Sequence, residues 1–261
     1  MEIYLLSSVR VRCHGATVRP ESERARGLLA ALAWQPGQFV SDETAIRQIW
    51  GDELPQHPRD SLYTCANRLR QAFSRADPAA AESPVRRERG GYLLAIEPSV
   101  VDLHRFRCSL HRARSAARLG DDATAIELFD HALALWQTVP LPDLGSDWAA
   151  RARTQLQHEY SSARIGRAAT GLRLGRHVED TPELYGLARE HPLDERVAGL
   201  LMTALYRGGR RQDALDHYAD VRSRLVGELG TDPGAELRDL QARILRHEPL
   251  PDGREPLMVF A

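Results

Sequence analysis

Residues 59–75, RDSLYTCANRLRQAFSR, set Leu62, Ala66, Leu69 and Phe73 four, three and four positions apart, which is one face of an α-helix. Burying that face leaves Asp60, Ser61, Tyr63, Thr64, Asn67, Arg68 and Gln71 on or near the open side. Working back from it, DELPQHP (52–58) is a turn with two prolines, and Gly51 stops a shorter helix that starts at Ser41. Ser41, with Glu43 and Thr44 close behind, is a cap, and Ile46, Ile49 and Trp50 supply the apolar stripe. QPGQFV (35–40) closes an earlier helix over 21–34, whose buried face is Ala25, Leu28, Leu29 and Leu32. Residues 2–18 alternate as short strands, with Gly15 in a hairpin turn. Forward of the helix, VRRER, a turn at Gly90-Gly91 and YLLAI read as a second hairpin over 85–96.

Strands, three helices and a hairpin, in that order, make a winged helix domain with an extra N-terminal sheet. The 59–75 helix is then the recognition helix. Its Arg, Asn and Thr side chains match the donors and acceptors that base edges present in a major groove. Arg86, Arg87 and Arg89 in the hairpin reach phosphates or the adjacent minor groove, with Tyr92 anchoring the strand. The net charge is −1, so the chain is no uniformly basic nucleic-acid coat. Between His57 and Tyr92, however, seven arginines face four acids. All 35 basic residues are arginine, so every phosphate contact would come from a planar, forked guanidinium.

Beyond Pro98 the pattern turns wholly helical. Helices are expected over 102–119, 122–136, 146–174, 181–190, 193–207, 210–228 and 234–246. Two stretches are alike: LGDDATAIELFDHALALW (119–136) and RGGRRQDALDHYADVRSRL (207–225). Each opens on a glycine turn and places Ala-Ile or Ala-Leu ahead of an aromatic: Ala125-Ile126 before Phe129, and Ala214-Leu215 before Tyr218. Helix pairs of this kind stack because one pair alone cannot bury its apolar face. The expected class is mainly α with a small β component. A winged helix-turn-helix domain occupies 1–98, an all-α tetratricopeptide-like domain 99–247, and a loose tail 248–261, in which 257–260 has the composition to dock.

Several motifs, in order, carry a family resemblance: IWGDELP (49–55), NRLR (67–70), RGGYLL (89–94), HPLDER (191–196), ALYRGGR (204–210) and ELGTDPGAELR (228–238). Over about residues 2–247 the chain resembles the Streptomyces antibiotic regulatory protein family. The resemblance implies an OmpR-type winged helix, a bacterial transcriptional activation domain, and activation of antibiotic biosynthetic genes. It also implies binding of double-stranded DNA at direct repeats near promoters, as a homodimer on DNA, and recruitment of RNA polymerase through its sigma and alpha subunits. By position, Asn67, Arg68 and Arg70 match the recognition-helix core, and Ser61 and Thr64 its threonine-rich start. Arg89, Gly90, Gly91 and Tyr92 match the wing. Cys65 and Ala66 depart from the family's usual Tyr-Val pair, which removes a hydroxyl near the backbone and thins the packing. The residues expected to meet DNA are Arg59, Ser61, Tyr63, Thr64, Asn67, Arg68 and Arg70 on the helix, and Arg86, Arg87, Arg89, Gly90 and Tyr92 on the wing.

Other chemistries find little in the sequence. No G-x-x-x-x-G-K-[ST] or G-x-S-x-G motif is present. His104 and His111 share a helical spacing without a metalloprotease arrangement. Cys13, Cys65 and Cys108 are odd in number and far apart, against a disulfide framework or a cysteine zinc site. No catalysis, metal or cofactor is therefore expected. The N-terminus is too short and alternating for a signal peptide and no apolar run spans a bilayer, so a cytoplasmic protein with no membrane partner is expected. The alternative reading is a helical-repeat adaptor, or a ligand sensor lined by Trp136, Trp148 and Tyr160, whose winged domain does not bind DNA.

Overall fold

The computed structural model describes residues 1–80 and 82–250. The expected tail docking at 257–260 lies outside the described residues.

The chain opens with an antiparallel meander of three strands, β1 (Glu2–Tyr4), β2 (Arg10–Cys13) and β3 (Ala16–Val18). Its second turn is His14-Gly15, both at positive φ (48° and 85°). That pair of left-handed residues matches the right-handed twist of the flanking strands. Three helices follow: α1 (Glu23–Ala33), α2 (Asp42–Trp50) and α3 (Pro58–Ala76), with the short strand β4 (Val40–Ser41) ahead of α2. Ser22 and Ser41 cap α1 and α2, their side chains accepting from the backbone N–H of Ala25 and Thr44. The hairpin β5 (Val85–Glu88) and β6 (Gly91–Leu94) pairs with β4 in the order β4-β6-β5. The turn is Arg89-Gly90, since Glu88 faces Gly91 in the register; Gly91 is the first residue of β6.

The chain divides into two compact units. The first takes Met1–Leu110 with His131–Tyr160, and so reaches past Pro98. The N-terminus of α4 (Asp102–Arg118) is tied to β1 by backbone and side chain. Val101 bridges Ile3, and the buried Asp102 carboxylate accepts from the N–H groups of Leu5 (2.8 Å), Leu6 (3.1 Å) and Leu103 (2.7 Å). Burial pushes the Asp102 pKa up to about 6. Residues 137–145 return to the sheet and α1 through polar contacts. Leu141 N–H donates to the carbonyls of Leu5 and Ser7, Arg26 pairs with Asp143, and Gly145 N–H donates to Glu23. Ile3, Leu5, Leu28, Leu29, Leu32, Leu62, Leu69, Tyr92, Leu94 and Phe106 fill the core. This is the winged helix the sequence predicts.

The second unit takes His111–Asp130 and the chain from Ser161 on. It holds most of α5 (Asp122–Leu133), the second half of α6 (Asp147–Arg173), and the helices α7 (His177–Glu190), α8 (Glu195–Arg207), α9 (Arg211–Arg224) and α10 (Ala235–Leu245). A single π turn, Leu225–Leu229, extends α9. The aromatics of the two similar stretches, Phe129 and Tyr218, are both buried, as are the alanines four residues before them. Phe129 lies against Gly166, where a Cβ would stand 2.8 Å from its ring. The other helices bury Leu172, Leu184, Leu187, Val197, Leu201, Leu205, Val221, Leu237 and Ile244 in one cluster. Among the described residues no strand follows β6.

Helix α7 begins at His177, not at 181 where Pro182 suggests a start. The first turn is held by Asp180, which is buried and paired with Arg167 of α6. Thr181 donates its hydroxyl to the His177 carbonyl (2.6 Å), and one proline in the second turn removes a single ladder donor.

Candidate nucleic-acid interface

Helix α3 buries Leu62, Cys65, Ala66, Leu69, Ala72, Phe73 and Ala76, which includes all four residues of the expected stripe. Arg59, Asp60, Tyr63, Thr64, Arg68, Gln71, Ser74 and Arg75 are exposed, and Ser61, Asn67 and Arg70 are half-buried. The exposed set recurs every three to four residues, so it forms one continuous stripe of polar side chains. Arg59 and Arg68 take no ion-pair partner among the described residues. Arg75, by contrast, pairs with Glu21 at 2.7 Å. Thr64 turns its hydroxyl back to donate to the Asp60 carbonyl (2.9 Å), which leaves the oxygen as an acceptor. Cys65 is inside the domain, and burial pushes its thiol pKa up, which keeps it protonated and unreactive.

Arg70 is turned into the fold. Its Nε donates to the Val85 carbonyl of β5 at 3.1 Å and its Nη1 donates to Asn67 Oδ1 at 3.0 Å. These bonds tie α3 to β5. They also fix the Asn67 amide with its oxygen inward, which leaves the amide nitrogen as the group turned outward.

Arg87 is committed in the same way. It forms a two-point ion pair with Asp42, the first residue of α2, with Nη2 donating to Oδ2 at 2.8 Å. Its guanidinium also stacks 4.5 Å from the Tyr92 ring centroid. The Asp42 hydrogen bond raises the Arg87 pKa further. Tyr92 is 1% exposed and is pushed up in pKa by burial, so it serves the wing from beneath. Arg89, in the turn, has no ion-pair partner among the described residues, and Arg86 only a 4.0 Å approach from Glu82. The wing thus presents Arg86 and Arg89 without close ion-pair partners, holds Arg87 against Asp42 at the surface, and buries Tyr92 beneath it.

Two glycines make this turn possible. Gly90 sits at φ +83°, and its carbonyl accepts from Asp42 N–H at 2.8 Å. A Cβ on Gly91 would stand 2.6 Å from ring carbons of Phe39 and closer still to the Val40 carbonyl oxygen of β4. Gly91→Ala is therefore expected to break the β4–β6 pairing and to cost about 3 kcal/mol of stability, since backbone cannot yield cheaply. Urea denaturation of the variant measures this, and a loss under ~0.5 kcal/mol would contradict the tight approach.

The residues considered for other chemistries are placed differently. Trp136 packs 4.4 Å from Tyr160 and 5.6 Å from Phe106, and Trp148 lies 5.6 Å edge-on to Trp34, so these rings fill space against one another. His104 is half-buried with Nε2 3.1 Å from the Ala33 carbonyl, and burial lowers its pKa. No helix of the described residues is long and apolar enough to cross a membrane.

Sequence reasoning missed Asp42 as the wing's internal counter-ion, and Ser74 and Arg75 as the continuation of the exposed stripe. The stripe was available from the same period that gave Leu62 to Phe73. Asp42 carried no local signal.

Comparison with known proteins agrees with this architecture. Residues 101–245 match the family model "Bacterial transcriptional activator domain". Over 261 aligned residues the chain is 31% identical to regulatory protein DnrI of Streptomyces peucetius, covering 98% of this chain and 96% of that protein. The chain belongs to the Streptomyces antibiotic regulatory protein family. Its members are transcriptional regulators. It is also 36% identical to regulatory protein AfsR of Streptomyces griseus over 86% of this chain, but spans only 22% of that longer protein. Mycobacterium tuberculosis EmbR, solved in complex with a low affinity phosphopeptide, superposes with a TM-score of 0.90 at 29% identity, covering 96% of this chain and 66% of EmbR.

Proposed function

We propose that this chain is a sequence-specific, DNA-binding transcriptional activator of a specialised-metabolite gene cluster. Residues 1–98 grip DNA and residues 99–247 contact protein. Two protomers sit on direct repeats about one helical turn, roughly 10 bp, apart, so that both face the same side of the duplex. They recruit RNA polymerase through its sigma and alpha subunits, in the cytoplasm.

The observation that carries the reading is the polar stripe of α3. Arg59 and Arg68 stand there exposed and without ion-pair partners among the described residues, beside a wing whose Arg86 and Arg89 point outward. Within the interface, Arg59, Tyr63, Thr64, Asn67 and Arg68 meet base edges or flanking phosphates, and Ser61 supports the helix start. Arg86 and Arg89 hold the backbone. Arg70, Arg87, Gly90 and Tyr92 set the position of the helix and wing.

The test is a gel shift on promoters of the gene cluster that neighbours this protein's own gene. Intact direct repeats are expected to bind about 10³-fold or more tightly than scrambled ones at physiological salt. Equal affinity for the two overturns the proposal.

A further inference from the structure

We propose that Cys13, His14 and Asp77 form a binding site for a divalent cation of the zinc class, which clips the first hairpin to the end of the recognition helix. Cys13 ends β2, His14 opens the β2–β3 turn, and Asp77 is the residue immediately after α3, its N–H donating to the Phe73 carbonyl. The Cys13 thiol lies 3.4 Å from Asp77 Oδ2, and His14 Nε2 lies 3.6 Å from the same oxygen. All three ligand atoms fall within 4.8 Å of one another, and no other such group occurs among the described residues.

Those separations fit a tetrahedral ion. With Zn–S near 2.3 Å and Zn–N and Zn–O near 2.0–2.2 Å, the edges between ligands are about 3.3–3.6 Å. The one wider edge, sulfur to imidazole, closes by rotating His14, whose side chain is 79% exposed. The left-handed φ of His14, +48°, is what carries its ring round the turn to the side where Cys13 and Asp77 meet. The donor set chooses the cation. Thiolate and imidazole suit zinc and its borderline neighbours, whereas magnesium and calcium require oxygen. Three protein ligands leave the fourth position to water.

Asp77 supplies an independent reason. Elsewhere buried or half-buried aspartates are satisfied either by an arginine, as Asp42 by Arg87, Asp122 by Arg173, Asp143 by Arg26 and Asp180 by Arg167, or by backbone N–H groups, as Asp102 and Asp194 are. Asp77, 28% exposed, has no arginine among the described residues, only the thiol and the imidazole. A cation satisfies that carboxylate. Binding deprotonates the thiol: Cys13–SH and M²⁺ give Cys13–S–M⁺ and one proton, released to solvent. The ion then joins β2 to the C-terminal end of α3 across 64 residues of sequence, and so restrains the helix proposed to read DNA.

Titration of the full, chelator-treated chain with cobalt(II) under reducing conditions tests this. One equivalent is expected to give thiolate-to-cobalt charge-transfer absorption, displaced by zinc(II). Cys13→Ser should abolish that absorption, and His14→Ala should weaken binding about tenfold or more, while Cys108→Ser changes neither. His14 is exposed, so its variant folds and keeps the test open. At one zinc concentration the Tm rise should be larger in the wild type than in His14→Ala. Absence of the charge-transfer band, its survival in Cys13→Ser, or an equal Tm rise in His14→Ala overturns the site.

Discussion

Asp102→Ala should destabilise the first unit by about 3–5 kcal/mol, a large part of the roughly 5–15 kcal/mol typical of a whole domain. The carboxylate is 2% exposed and accepts three backbone donors at once, from Leu5, Leu6 and Leu103. Leu5, Leu6 and Leu103 are fully buried, so truncation leaves each N–H without an acceptor and without ready access to water. Asp102→Asn keeps one acceptor oxygen, which serves Leu5 and Leu103, and loses only the bond from Leu6. Its cost should be about 1–3 kcal/mol. The pH dependence separates the two forms further. Burial raises the Asp102 pKa from 3.8 to about 6, so the folded state prefers the protonated acid. Its contribution is fully present below pH 3.8 and is lost as pH rises through about 6. The wild type should therefore gain about 2 kcal/mol relative to Asp102→Asn between pH 7 and pH 4. Urea denaturation of both proteins across that range gives the difference directly. A flat difference, or an alanine variant within ~1 kcal/mol of wild type, would show that Asp102 does not anchor β1 to α4.

How much of this was written in the sequence differs from element to element. The period of Leu62, Ala66, Leu69 and Phe73 defined α3 and its exposed stripe, because a helix that must bury one face advertises that face locally. Ser41 announced α2, since a cap is satisfied within three residues. The recurrence of Ala125–Phe129 and Ala214–Tyr218 gave the helical unit for the same reason. The arginines behave otherwise. Arg87 and Arg89 lie two residues apart in one hairpin and look equivalent, yet one is held by Asp42 and the other stands free of ion pairs among the described residues. Where a guanidinium points depends on a partner 45 residues away in sequence, and no periodicity records that. The return of residues 137–145 to the first sheet was hidden because the leucines it buries, Leu141 and Leu144, stand in a loop with no helical or strand period, and its hydrogen bonds run to partners distant in sequence. Cys13, His14 and Asp77 were hidden in a third way. Ligand spacing is a sequence signal only when the ligands are neighbours, and here one of them arrives from the far end of α3.

Those distinctions separate the arginines experimentally. Arg68→Ala should lower affinity for the protein's own operator by about 1–3 kcal/mol, roughly 10- to 150-fold, and relax discrimination at the base pair it faces. It should leave stability unchanged, because Arg68 is exposed and takes no ion pair among the described residues. Arg89→Ala should weaken every duplex alike and reduce the slope of log K against log salt by about 0.9, as expected when one fewer phosphate is neutralised. Arg87→Ala should behave in the opposite manner. Removing it leaves the Asp42 side chain, 11% exposed, without its counter-ion, so stability should fall by about 1–3 kcal/mol. The salt slope should keep its wild-type value, since a guanidinium already neutralised by a carboxylate displaces few counter-ions from DNA. Fluorescence anisotropy on one operator duplex and one scrambled duplex at four salt concentrations, with a denaturation curve for each variant, resolves all three. If Arg68→Ala and Arg89→Ala bind both duplexes as wild type does, α3 and its wing are not the DNA-reading surface. If instead Arg87→Ala lowers the slope while keeping full stability, Asp42 releases that arginine to the phosphate backbone on binding, and the ion pair is a resting state of the wing.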